Sequence, residues 1–104
     1  MIVTNTETIP GRDITQIIGV VQGNSVRAKH VGRDIAAGLK SFVGGEIGGY
    51  TELMAEARQA AYQRMVQNAQ AWGADAVVNV RFETSMVAQT MSEMLAYGTA
   101  VKLG

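Results

Sequence analysis

The densest group of reactive side chains in this sequence is Lys29, His30 and Arg33, with Asp34 beside them, in the run Arg27-Ala28-Lys29-His30-Val31-Gly32-Arg33-Asp34. Apolar spacing from Val31 onward places the group at the start of a helix, where free backbone N–H groups and the positive end of the macrodipole already favour anions. Cations there are unfavourable without a negative partner, so Lys29, His30 and Arg33 together suit a carboxylate, phosphate or other oxyanion. The commoner fate of such side chains is a solvated surface or an ion pair with a neighbouring subunit, and such pairs contribute little. His30 and Asp34 are four apart, so on a helix they can serve as two ligands of one metal ion. Two ligands do not make a site.

Other constellations are weaker. Gly44-Gly45-Glu46-Ile47-Gly48-Gly49-Tyr50-Thr51 has the glycine spacing of a phosphate loop, but Tyr50 stands where that loop needs a lysine, and a helix precedes it where a strand is required. A helix-to-helix connector accounts for those glycines better. Glu83 and Glu93 can face each other across a C-terminal hairpin centred near Ala88, as a divalent-cation or general-acid pair, although exposed strand-end carboxylates are usually just solvated. With His30 the sole histidine and no cysteine, thiolate ligands and cysteine catalysis are excluded, and no serine is placed beside His30 and an acid. No catalytic machinery follows from these residues, and the chain reads as a non-enzyme with no cofactor specified.

The elements that must hold these residues are read from periodicity. Ile2 to Thr4 suits a short strand, Ile9-Pro10-Gly11 a turn, and the β-branched run Ile14 to Val21 a second strand, with Gly23-Asn24-Ser25 reversing the chain. Val31, Ile35, Leu39 and Phe42 recur at helical spacing, and this first helix is predicted to end at Gly44-Gly45. Thr51 is placed to cap a second helix whose buried stripe runs through Met54, Ala57, Ala61, Met65, Asn68 or Ala69, and Trp72. Gly73 suits the left-handed cap position, and Asp75 is predicted to bond backbone at the helix-to-strand corner. Val78, Val80 and Phe82 then share one strand face, and Leu95, Tyr97, Thr99, Val101 and Leu103 repeat the alternation in a last strand.

Nine basic and nine acidic side chains cancel over 104 residues, which disfavours electrostatic binding of nucleic acid. No apolar run approaches membrane-spanning length and no basic leader precedes an apolar core, so a cytoplasmic protein is expected. Apolar residues make up 47% of the chain, yet much of that is Ala and Val with few aromatics, so apolar surface is expected to be shared between copies in a homo-oligomer.

Several runs in order carry a family resemblance: Thr6-Glu7-Thr8-Ile9-Pro10-Gly11, Gly19-Val20-Val21-Gln22-Gly23-Asn24, Gly32-Arg33-Asp34-Ile35, Val43-Gly44-Gly45-Glu46, Tyr50-Thr51-Glu52-Leu53, Gly73-Ala74-Asp75-Ala76-Val77-Val78 and Tyr97-Gly98-Thr99-Ala100-Val101. Together these resemble the YbjQ family of small uncharacterised bacterial proteins, which carries a heavy-metal-binding label. The chain departs from that pattern at Gly48-Gly49, where a charged residue is usual before the tyrosine. The resemblance implies a dodecin-like subunit assembled as a homopentameric ring. A metal would then need imidazoles collected from several subunits, since each supplies only His30. The expectation is an α+β domain over residues 1–104, an antiparallel sheet covered by two helices, acting as a non-enzymatic oligomeric binding protein for a small ligand, anion or metal. The alternative is a structural or interaction scaffold without a small-molecule ligand.

Overall fold

The C-terminal half is organised by one helix and one hairpin. A computed structural model describes residues 1–28, 49–88 and 91–104. In it β1 spans Ile2–Val3, β2 Ile14–Ala28, helix α1 Tyr50–Ala71, β3 Ala76–Ala88 and β4 Met91–Leu103. The first helix predicted from Val31 lies outside the described residues, so the described sheet carries one helix and not the two expected.

The four strands form one sheet in the order β1-β3-β4-β2. The expected antiparallel sheet is in fact mixed, because β1 runs parallel to β3 with Ile2 opposite Ala76 and Val3 opposite Val77. A two-residue strand has too little alternation to reveal its partner in sequence. After β1 the chain turns at Ile9, whose carbonyl accepts the Arg12 N–H at 3.2 Å, and crosses to the opposite edge of the sheet to begin β2. The predicted reversal at Gly23-Asn24-Ser25 does not occur, and β2 continues through it to Ala28. Gly23 serves close packing instead: a Cβ there would overlap the Ala61 carbonyl oxygen and the Met65 amide nitrogen of α1.

Helix α1 buries Ala57, Ala61, Met65 and Ala69 completely, a stripe repeating every four residues as the periodicity predicts. The small alanines let the helix backbone approach β2 closely. Trp72, expected to extend this stripe, sits at the C-cap and is 49% exposed. Nor is Thr51 the N-cap, since Gly49 takes that position at φ 80° and its carbonyl accepts the Leu53 N–H at 3.1 Å. At the other end Gly73 adopts φ 76°. Its N–H reaches the Gln70 carbonyl at 2.9 Å and the Ala74 N–H reaches Ala69 at 3.0 Å, the paired bonds of a Schellman cap.

Val78, Val80 and Phe82 do not share a face as simple alternation predicts. Between the pairs Val78–Thr99 and Arg81–Tyr97, two residues of β3 oppose one of β4, which is a β-bulge. Asn79 takes up the extra residue at φ 57°, a conformation asparagine tolerates. Val77 and Val80 therefore join the core under α1, while Ala76 and Val78 pack with Val101 on the opposite face. Gly98 lies against the bulge, where a Cβ would come within 2.8 Å of Val77 Cγ1 and 2.9 Å of the Val78 carbonyl. Alternation does hold in β4, with Met94, Ala96 and Ala100 buried toward the helix.

Candidate functional site

The predicted anion group Lys29, His30 and Arg33 and the metal pair His30 and Asp34 lie outside the described residues. Of the glycine-rich run before α1, Gly49 is described, and its left-handed conformation starts the helix.

Glu83 and Glu93 are not opposite one another. The hairpin closes at Ala88–Met91, later than a turn centred near Ala88, which pairs Glu83 with Leu95 and Glu93 with Ser85. Each carboxylate has its own donor: Tyr97 Oη donates to Glu83 Oε1 at 3.1 Å, and Asn24 Nδ2 donates to Glu93 Oε2 at 3.5 Å. The hydrogen bond to Glu83, with burial and the Glu83 charge adding to it and the Arg81 charge opposing it, raises the Tyr97 hydroxyl above its ordinary pKa. A hydroxyl held in its neutral form as a donor is a positioning contact. Among the described residues no three His, Cys, Asp or Glu side chains come together as a metal cluster.

One cavity, of about 260 Å³, lies where β1 leads into its following loop beside β3 and α1, lined by Val3, Thr4, Asn5, Tyr62, Val80 and Phe82. Its wall is held by a threonine ladder. The Thr4 and Thr6 hydroxyls lie 2.9 Å apart, and Thr6 Oγ1 donates to the Thr8 carbonyl at 2.7 Å. Backbone bonds fasten the ladder to the bulge, with Asn79 N–H reaching the Thr6 carbonyl at 2.9 Å and Val80 N–H the Thr4 carbonyl at 3.0 Å. The lining combines apolar side chains with uncharged polar groups. Reasoning from sequence missed this cavity; its one local signal is the alternating threonine run Thr4-Asn5-Thr6-Glu7-Thr8.

The described elements, one helix and a four-stranded mixed sheet, define a small α+β protein. Residues 1–104 match the model of the family YbjQ_1, described as "Putative heavy-metal-binding", and the chain belongs to that family. A relative from Psychromonas ingrahamii, named a UPF0145 protein, is 63% identical over 99% of this chain and 98% of its own length. A UPF0145 protein from the archaeon Archaeoglobus fulgidus is 59% identical over 99% of this chain and 95% of its own, so the family is not confined to bacteria as the resemblance suggested. A crystal structure of a DUF74 family protein of unknown function from Pediococcus pentosaceus shares the fold at TM-score 0.64 and 18% identity, covering all of this chain and 98% of the other. No helix among the described residues is long and apolar enough to cross a membrane.

Proposed function

We propose that this chain is a non-enzymatic, cytoplasmic binding protein that works as a homo-oligomer, a homopentameric ring whose repeated sites take a small ligand, anion or metal. The observation that carries the reading is how much sheet the described residues of one copy leave uncovered. Ile17, Val20 and Met86 are 70%, 68% and 69% exposed, and β3 beyond Val77 has β4 as its one strand neighbour among the described elements. Exposed large apolar residues and unpaired edges are what a neighbouring copy covers. Ring assembly also answers the metal chemistry, since one histidine and no cysteine per chain leave multi-imidazole coordination to several subunits.

Thermal melts with added ligand test the binding half of this reading. Phosphate or sulfate should raise the melting temperature of wild type as its concentration exceeds the dissociation constant, more strongly below about pH 6.5, where an ordinary histidine takes up its proton. Zinc should stabilise less at that pH if His30 is its ligand. If neither shifts wild type more than a Lys29→Ala, His30→Ala, Arg33→Ala variant, the scaffold reading replaces this one.

A further inference from the structure

Gln22 and Asn24 lie in the middle of β2, an edge strand among the described elements, where its one neighbour is β4. Both of their backbone carbonyls are taken by side chains of α1. Asn68 Nδ2 donates to the Gln22 carbonyl at 2.7 Å, and Arg64 Nη1 donates to the Asn24 carbonyl. The periods of the two elements match: four helical residues rise about 6 Å, and two strand residues rise about 6.6 Å. Arg64 and Asn68 are thus spaced to meet alternate carbonyls, the ones pointing away from β4. Gly23 between them permits the approach, since any Cβ there would overlap helix backbone.

Free carbonyls in the middle of a long edge strand invite another strand. A complementary edge exists on the same chain. Among the described residues β3 over Arg81 to Ala88 has no partner beyond β4, and because β2 and β3 each run antiparallel to β4, they run parallel to one another. Pairing β3 of one copy with β2 of the next is therefore a head-to-tail contact, which runs on into filaments unless its rotation closes a ring.

We propose that Arg64 and Asn68 are an edge guard: by occupying the outward carbonyls of Gln22 and Asn24 they keep the centre of β2 from accepting a strand of a second copy of this chain. The guard limits self-association to other surfaces and to defined sizes. It does not depend on how many subunits the wild-type protein has.

The test compares the full chain with an Arg64→Ala, Asn68→Ala variant by light scattering over a concentration series, with circular dichroism confirming the fold. The variant should show species several-fold larger than wild type that grow with concentration. Adding Gln22→Pro should return the wild-type mass, because the Gln22 N–H faces the free edge and proline there removes only the donor a new strand would use. A double variant that keeps the wild-type mass at every concentration overturns the proposal, and so does growth that survives Gln22→Pro. If the double variant loses its cooperative melt, Asn68→Ala alone is read by the same criteria, since it frees the Gln22 carbonyl and leaves the Arg64 contact in place.

Discussion

The Asp75 carboxylate accepts the backbone N–H of Leu103 at 2.9 Å, while the Asp75 N–H donates to the Val101 carbonyl at 2.9 Å. One residue at the exit of α1 thus clamps the corner to the far end of β4, whereas the sequence predicts that its side chain bonds the neighbouring backbone of the turn. Loss of such a bond costs on the order of 1 kcal/mol. Asp75→Ala should therefore lower the melting temperature by about 4–8 °C, the shift expected for a domain of this size. Asp75→Asn, which keeps an acceptor oxygen, should recover most of the loss, and calorimetry of the two variants checks this.

Gly23→Ala should destabilise by about 1–3 kcal/mol, the usual cost of overpacking, because its methyl group meets the backbone of Ala61 and Met65 and the helix must move away. Urea midpoints measure it. A variant as stable as wild type would show that α1 does not press on β2.

At the bulge, Asn79→Gly should be neutral or slightly stabilising, whereas Asn79→Val should cost about 1–2 kcal/mol or more, because φ 57° is a left-handed conformation that a β-branched residue avoids. Equal stability of the two variants in a denaturant titration would contradict the bulge.

Ala100 is fully buried beneath α1 within the main core. Ala100→Asp should therefore unfold the subunit by burying an unpaired charge, and should not merely separate copies at a sheet surface. Circular dichroism separates the outcomes, since a folded but dissociated variant would place Ala100 at an interface.

Tyr97 should titrate above the ordinary tyrosine range, and Glu83→Gln should lower it toward that range by weakening the hydrogen bond its hydroxyl donates and removing the charge it faces. A raised folded-state pKa means that the unfolded chain loses this proton first. The stabilisation is therefore complete below about pH 10 and is lost as pH rises through the folded-state value. Tyrosinate absorbance of wild type, read against Tyr97→Phe, isolates this group.

Much of the C-terminal half was legible because its signals are local. Gly73 stops the helix by its own backbone freedom, Ala57, Ala61, Met65 and Ala69 mark one helix face, and burial in β4 alternates from Met91 to Ala100. What sequence missed depends on residues far apart in the chain. Gly23 looked like a turn because its reason for being glycine is a helix forty residues later, and Asn79 hid a bulge that only its pairing with β4 reveals. The cavity unites Val3, Thr4 and Asn5 with Tyr62, Val80 and Phe82, a grouping that no spacing rule collects. The charged group at Lys29, His30 and Arg33 was legible as chemistry, and lies outside the described residues.

Native mass spectrometry of protein purified without an affinity tag tests the oligomeric binding account most directly, because one spectrum reports subunit number and any retained ligand. The account predicts a single assembly near five times 11.1 kDa, carrying a small mass increment that mild activation removes. A clean monomer at micromolar concentration would contradict it.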